Sequence, residues 1–276
     1  RAAIDAADAP DAETALTGHM RASLATHAGL AFQKNNRHDD AFAALAKAKE
    51  LRGLAYDADD HEHRITKTIE YWSSEQARAL HRTEADGSRF VFIVGMPRSG
   101  TSLLEQMLGR LAGVAPLGER SEIMRLAAGI CVPPSRAHQA IMNETGRYNK
   151  DNIEGIMPTI LQSYDDAALN LASDPAARRV YTDKQVYNFL DLPLIARVLP
   201  GARVVHIRRN PCDNALSCFS QWFNHQHHFT RDMASMGHYY RQYRRLVDAY
   251  RGLPAPDERP EMIDVVYEDL VREPEA

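Results

Sequence analysis

The segment Gly95-Met-Pro-Arg-Ser-Gly-Thr-Ser102 has the residue types and spacing of a loop that binds phosphate. Gly95 and Gly100 are spaced as in a Walker A loop, whose backbone N–H groups surround an anion. Thr101 stands where a Walker A loop has the lysine that contacts the β- and γ-phosphates of a nucleoside triphosphate. The loop therefore indicates a nucleotide whose reacting group is not a γ-phosphate. The simpler alternative is a strand–turn–helix in which the glycines only satisfy the turn.

The residues around these glycines supply hydrogen-bond donors and positive charge for an anion. Residues 102–111 have helical apolar spacing, so the loop is predicted to end at a helix N-terminus, where N–H donors and the positive end of the dipole favour phosphate. Arg98 places a fixed positive charge inside the loop, in place of the missing lysine. Thr101 and Ser102 can each donate a hydroxyl hydrogen bond.

A second candidate anion site follows the apolar segment 202–207, which is predicted to be a strand. The dipeptide Asn210-Pro211 is typical of a helix start, because Asn is a good N-cap and Pro is favoured at the first helical position. Arg209 lies just before this helix and Ser217 two turns into it, so a guanidinium and a hydroxyl can meet at one anion. The alternative is an ordinary capped helix in which Ser217 bonds back to its own backbone.

The elements that position these two segments alternate between strand and helix. Strands are predicted at 90–94, 179–182, 202–207 and 262–266, and helices at 101–112, 121–130, 152–172, 189–199, 211–223 and 234–251. The alternation predicts an α/β fold with a P-loop-type central parallel sheet flanked by helices. Ligands of such folds bind beyond the carboxyl ends of the strands.

Residues 1–86 are predicted to form a small all-α segment. Residues 23–52 match the pattern of one tetratricopeptide unit, and an unrelated helical hairpin fits them equally well. A further helix is predicted at 59–81. We therefore expect a tetratricopeptide-like segment at 1–86, which could bind a protein partner, and an α/β domain at 87–276 that is truncated at its C-terminus.

The composition excludes several classes of protein. The 276 residues are 44% hydrophobic and 25% charged, as in ordinary globular proteins. A net charge of −4 gives no sign of a nucleic-acid partner or of a polybasic membrane surface, and no apolar run approaches a membrane span. The three cysteines include no CxxC pair, which fits a reducing compartment and a cytoplasmic location. No residues have the ligand spacing of a metal site.

Together, the loop without its lysine and the strand–Arg–Asn–Pro–x–Asp–x–x–x–Ser helix resemble the two halves of the site that binds 3′-phosphoadenosine 5′-phosphosulfate (PAPS) in sulfotransferases. Further matching segments are Gly118-Glu119, Thr182-Asp-Lys184 and Tyr267-Glu-Asp-Leu270, and the resemblance covers roughly residues 88–276. Within the superfamily, the chain is most similar to bacterial tetratricopeptide-repeat sulfotransferases, whose catalytic domain is similar to that of tyrosylprotein sulfotransferases.

The resemblance implies a role for each matching residue. The residues expected to hold the 5′-phosphosulfate are Arg98, Ser99, Gly100, Thr101 and Ser102, and those expected to hold the 3′-phosphate are Arg209 and Ser217. The implied reaction is in-line transfer of a sulfuryl group to an acceptor hydroxyl, of a protein tyrosine or a saccharide, with 3′-phosphoadenosine 5′-phosphate (PAP) as product. Glu119 is the candidate base, while Lys184 and Arg98 would stabilise charge on the leaving phosphate. No Mg²⁺ is required, because PAPS has no γ-phosphate to bridge.

Alternatives stay open at the level of the residues. Glu119 could be a surface carboxylate beside Arg120 and Glu122, and Lys184 could be a solvated lysine paired with Asp183.

Alternatives also stay open for the whole chain. One is an ATP-dependent kinase-like P-loop phosphotransferase, which requires a lysine at position 101. Another is a repeat-bearing interaction module that is catalytically silent. The acceptor pocket is expected in the loops at 113–150 and 224–235, whose sequences do not identify an acceptor.

Overall fold

Five parallel strands form one sheet with the order β2–β3–β1–β4–β5. The structure is a computed structural model that describes residues 17–129, 150–170, 180–223 and 227–273. The strands are β1 (Phe90–Gly95), β2 (Val114–Pro116), β3 (Val180–Asp183), β4 (Arg203–Arg208) and β5 (Glu261–Val266). The predicted central parallel sheet is confirmed, and β2 is a strand that the sequence pattern did not predict.

Helices precede the sheet and connect its strands. In chain order they are α1 (Gly18–Lys34), α2 (His38–Arg52), α3 (Ala58–Trp72), α4 (Glu75–Arg78), α5 (Thr101–Leu108), α6 (Glu122–Gly129), α7 (Lys150–Asn170), α8 (Leu192–Val198), α9 (Pro211–Phe219), α10 (Met233–Arg251) and α11 (Tyr267–Arg272). Two short 3₁₀ turns lie at Val186–Asp191 and His228–Arg231.

The register of the ladders brings all the carboxyl ends to one edge of the sheet. β1 pairs with β4 up to Gly95 opposite Ile207, and β4 pairs with β5 up to Arg208 opposite Val266. Since the strands are parallel, the segment that follows each of them leaves the sheet on the same side. β1 lies in the middle of the sheet, and its residues Phe92, Ile93 and Val94 are completely buried.

Helices cover both faces of the sheet, as predicted for an α/β fold. On one face, Leu104 of α5 packs in a core cluster with Ile93, Val205 and Ile207. Phe90 of β1 makes an edge-to-face contact with Tyr164 of α7, with 5.0 Å between ring centroids. The continuous apolar character of β1 is explained by this two-sided burial.

Several helix boundaries differ from those predicted. The helix predicted at 59–81 ends at Trp72, and Ser74 caps the short helix α4 by accepting a hydrogen bond from the Ala77 N–H at 3.2 Å. The helix predicted at 101–112 ends at Leu108, immediately before Gly109. Most of the expected acceptor loop at 113–150 lies outside the described residues.

The chain divides into two compact units. One contains residues 1–59 and 211–241, and the other contains residues 60–210 and 242–276, so that the breaks after residues 59 and 241 fall inside α3 and α10. In the first unit, α1 and α2 form a helical hairpin packed through small residues. A Cβ on Gly29 of α1 would lie 2.7 Å from Cγ of Leu45, so the helices approach closely there. The expected domain boundary between residues 86 and 87 stays a prediction.

Within the described parts of the chain, no helix combines the length and the apolar character needed to cross a lipid bilayer.

Candidate active site

The loop between β1 and α5 has the geometry of an anion-binding turn. A Cβ on Gly95 would lie 2.5 Å from the carbonyl oxygen of Ile207, so only glycine allows β1 to approach β4 at this point. Gly100 is the N-cap of α5 with φ of 104°, a left-handed conformation that favours glycine. The first intrahelical bond runs from the Leu104 N–H to the Gly100 carbonyl at 3.1 Å, which leaves the N–H groups of residues 101–103 at the open end of the helix.

The side chains of the loop comprise an exposed charge, two buried hydroxyls and one exposed hydroxyl. Arg98 is exposed and has φ of 68°, an unusual value for a residue with a side chain, which costs on the order of 1 kcal/mol. Ser99 is buried, and its Oγ forms no hydrogen bond with the residues that the structure describes. Thr101 is buried, whereas Ser102 is exposed. A buried hydroxyl beside a helix N-terminus suits a phosphate or sulfate oxygen.

Arg209, at the end of β4, lies against this loop. Its Nη1 donates a hydrogen bond of 3.1 Å to the carbonyl oxygen of Arg98, and its guanidinium lies 4.6 Å from the ring centroid of Tyr267. Its Nε is buried and has no hydrogen-bond partner among the described residues. The preceding residue, Arg208, approaches Asp264 instead, with 3.8 Å between Nε and Oδ2. Arg209 of the second predicted anion site therefore lies next to the loop of the first.

Ser217 lies on α9, which begins at Pro211 as the sequence predicts. It is half-buried and belongs to the unit that contains the helical hairpin, whereas Arg209 belongs to the other unit. Its part in the site stays a prediction.

Glu119 and Lys184 form an ion pair at the ends of β2 and β3. Lys184 Nζ donates to Glu119 Oε1 at 2.9 Å. The lysine side chain is 12% exposed and the carboxylate 62% exposed, so the carboxylate is open to solvent. The Lys184 N–H donates to the Gly118 carbonyl at 2.8 Å, which continues the β2–β3 pairing past both strands and fixes the two backbones side by side.

The neighbours of this pair have other partners. Arg120 pairs with Glu122, which also accepts a hydrogen bond from Ser163 Oγ at 2.7 Å. Although burial raises the pKa of Glu122, these two bonds outweigh that effect and lower it. Asp183 is buried, accepts hydrogen bonds from the Tyr164 hydroxyl at 2.7 Å and the Gln185 N–H at 2.9 Å, and has a pKa raised by burial to about 6. Lys184 therefore pairs with Glu119, and its expected alternative partner Asp183 is held elsewhere.

The sequence did not indicate the part that Glu105 plays in supporting the site. This buried carboxylate on α5 accepts hydrogen bonds from the Gly118 N–H at 2.9 Å and from Thr182 Oγ1 at 3.1 Å. It thereby ties α5, the helix after the candidate anion-binding loop, to the ends of β2 and β3. The available signal was an acidic residue on the otherwise apolar face of the helix.

The groups assembled at this edge are suited to bind an anion. Helix N–H groups, the Ser99 hydroxyl and Arg98 belong to the loop after β1, and Arg209 lies beside that loop. In the described parts of the chain, no group of three or more His, Cys, Asp or Glu side chains is arranged to hold a metal ion.

Fold and candidate site together define an α/β protein with a candidate anion-binding loop at the carboxyl end of the central strand of a parallel sheet. Residues 89–276 match the Sulfotransferase family, and the chain belongs to that family. An uncharacterized protein of Aquifex aeolicus (strain VF5) is 30% identical over 252 residues, which make up 88% of this chain and 32% of that protein. The chain thus spans about a third of the length of this curated relative.

Two solved structures resemble this chain at lower sequence identity. A sulfotransferase from Alicyclobacillus acidocaldarius is 18% identical with a TM-score of 0.37, over 67% of this chain and 75% of that one. A sulfotransferase from Mycobacterium tuberculosis H37Rv is 16% identical with a TM-score of 0.33, over 94% of this chain and 80% of that one. Neither superposition is close enough to carry an argument about this chain.

Proposed function

We propose that this chain transfers a sulfuryl group from PAPS to an acceptor hydroxyl. The observation that carries the proposal is the hydrogen bond of 3.1 Å between Arg209 Nη1 and the carbonyl oxygen of Arg98. It joins the arginine of the second motif to the turn of the first, which supports a single doubly phosphorylated nucleotide that would contact both motifs. Membership of the Sulfotransferase family supports the same chemistry.

The loop residues would hold the 5′-phosphosulfate. The backbone N–H groups that begin α5 and the buried Ser99 hydroxyl donate hydrogen bonds without needing to reorganise. Arg98 adds the positive charge that a lysine supplies in nucleoside triphosphatases, and the hydroxyls of Thr101 and Ser102 complete the set.

Arg209 would hold the 3′-phosphate, with Ser217 as its partner. The guanidinium already uses Nη1 for the Arg98 carbonyl, and its buried Nε needs an acceptor. A phosphate oxygen is a charged acceptor whose geometry matches the planar guanidinium. This contact would distinguish PAPS from ATP, which has no 3′-phosphate.

PAPS, when bound, supplies an activated sulfuryl group with a phosphate as leaving group. The exposed carboxylate of Glu119 would accept the proton of the attacking hydroxyl as its oxygen bonds to sulfur. Lys184 and Arg98 would stabilise the negative charge that the departing phosphate oxygen acquires as its bond to sulfur breaks. The ion pair of 2.9 Å between Glu119 and Lys184 holds the base and the cation in one place before either is used.

The acceptor is proposed to be a protein tyrosine or a saccharide hydroxyl. The bacterial tetratricopeptide-repeat branch, similar to tyrosylprotein sulfotransferases, is the one that we propose for this chain. The close packing of α1 and α2 at Gly29 and Leu45 supports a repeat-like hairpin, which belongs to the proposed helical domain at 1–86 and could bind a protein partner. The sulfotransferase domain would then cover 87–276.

Calorimetric titration with PAP tests the nucleotide assignment. The chain should bind PAP without Mg²⁺ and more tightly than ATP with Mg²⁺. Arg209→Ala should weaken PAP binding roughly 10- to 100-fold, since a hydrogen bond to a charged group contributes about 1.5–3 kcal/mol. Arg203→Ala is the matched control, because Arg203 is an exposed arginine at the opposite end of β4. Tighter binding of ATP would support a kinase-like enzyme, and binding of neither nucleotide a silent module.

Transfer from ³⁵S-labelled PAPS to a panel of tyrosine peptides and saccharides tests the base. Glu119→Gln should lower turnover roughly 10²- to 10⁴-fold and leave PAP affinity close to that of the wild type. Glu70→Gln is its control, since Glu70 is also an exposed glutamate paired with a lysine, Lys67 at 2.8 Å, and lies on α3. Unchanged turnover in Glu119→Gln would reject Glu119 as the base.

A further inference from the structure

Tyr267 is the residue at which β5 gives way to α11. In the β4–β5 ladder, Arg208 lies opposite Val266. The next residues, Arg209 and Tyr267, therefore leave the sheet side by side. The end of β5, the edge strand of the sheet, therefore lies at the candidate site, although the proposed function gives Tyr267 no role.

The ring of Tyr267 lies directly against the phosphate-binding loop. A Cβ on Gly100 would lie 2.3 Å from Cδ2 and 2.8 Å from Cε2 of the ring, so no side chain fits at Gly100 while the ring is in place. Tyr267 also packs on the core cluster that contains Leu104 and Ile207. The ring is therefore held by the loop and by the core at the same time.

Arg209 lies over this ring. Its guanidinium is 4.6 Å from the ring centroid, a cation–π distance, and its Nη1 is bound to the Arg98 carbonyl. A free arginine side chain has many rotamers, and fixing it on a ligand is costly. The ring and the carbonyl together fix the guanidinium in advance, with the buried Nε left for an acceptor.

A second contact joins the same two turns. Glu268 Oε1 accepts a hydrogen bond of 2.9 Å from the Asn210 N–H. Residues 267 and 268 thus hold residues 209 and 210 through one ring contact and one hydrogen bond. The ring contact fixes the side chain of Arg209, and the hydrogen bond fixes the backbone at Asn210.

We infer that Tyr267 is a positioning residue that presents Arg209 to the 3′-phosphate of the nucleotide, an inference that rests on the proposed function. The ring acts through the guanidinium and makes no contact with the reacting atoms. Its loss therefore reduces the discrimination between nucleotides with and without a 3′-phosphate, whereas a ring that only fills space affects both nucleotides equally.

The test compares the dissociation constants of PAP and adenosine 5′-phosphate by calorimetry on the full chain. The preference of the wild type for PAP should fall roughly tenfold in Tyr267→Leu, with adenosine 5′-phosphate binding changed less than about threefold. Tyr267→Phe retains the ring and should keep the preference within about twofold of the wild type. Tyr267→Met replaces the leucine variant if thermal unfolding shows that the latter is not folded.

A double variant separates positioning from independent effects. In Tyr267→Leu combined with Arg209→Ala, the preference should equal that of Arg209→Ala alone, because no guanidinium remains to be positioned. Three outcomes would each overturn the role of Tyr267. The fold-changes in preference of the two single variants could multiply in the double variant, the preference could be unchanged in Tyr267→Leu, or Tyr267→Leu could lose affinity for both nucleotides equally. A wild type that binds both nucleotides equally overturns the proposed function itself, and the inference with it.

Discussion

Asp183 is a buried carboxylate at the end of β3, next to Lys184, and its protonation should be visible in the stability of the protein. Burial raises its pKa to about 6, even though hydrogen bonds from Tyr164 and Gln185 stabilise the charged form. The folded state holds the proton more tightly than the unfolded state. The free energy of unfolding should therefore fall by up to about 3 kcal/mol as the pH rises from about 4 to 6. Asp183→Asn removes this dependence. Urea unfolding of both proteins from about pH 2 to pH 7 measures the difference.

Asp264 provides a control of opposite sign. Burial raises its pKa, but His206 and the neighbouring arginines outweigh that effect and lower it. Its contribution to stability should therefore be present at neutral pH and be lost as the pH falls below about 4. Relative to Asp264→Asn, the wild type should lose stability on acidification, whereas relative to Asp183→Asn it should gain. A pH-independent difference between the wild type and Asp183→Asn would contradict the role of burial.

At the scale of elements, local signals predicted the two strand–turn–helix segments well. The apolar run of β1 followed by two spaced glycines, and the Asn-Pro start of α9, each lie within a few residues of the element they specify. β2 has three residues, Val114–Pro116, too few for a recognisable pattern. It exists through pairing with β3 and is supported at its end by Glu105, contacts between residues far apart in the sequence.

At the scale of the whole molecule, the strand order determines which predicted residues meet. Within three residues of the end of each strand, one residue lies at the candidate site or is inferred to support it. These residues are Arg98 after β1, Glu119 after β2, Lys184 after β3, Arg209 after β4 and Tyr267 after β5. The motifs included all five residues and implied a role for the first four, which stays a proposal, whereas they implied none for Tyr267. Adjacency of β1 with β4 brings Arg98 to Arg209, and adjacency of β2 with β3 brings Glu119 to Lys184. The motifs do not specify that order, so the two pairs could not be predicted from them.

Because the ends of neighbouring strands meet at the site, a bound nucleotide should stabilise the sheet as a unit. A ligand that binds only the folded state adds RT ln(1 + [L]/Kd) to the free energy of unfolding, about 2.7 kcal/mol at 100 times Kd. For a chain of this size, that corresponds to a rise in melting temperature of roughly 5–10 °C. Scanning calorimetry with PAP should show this rise, and inorganic sulfate at equal ionic strength should not. At the same PAP concentration, Arg209→Ala should lose about half of the rise or more, because its Kd is expected to be at least about tenfold higher. An equal rise in melting temperature in the wild type and Arg209→Ala would show that PAP stabilises the fold without contacting Arg209, and Arg209 would then not belong to the nucleotide site.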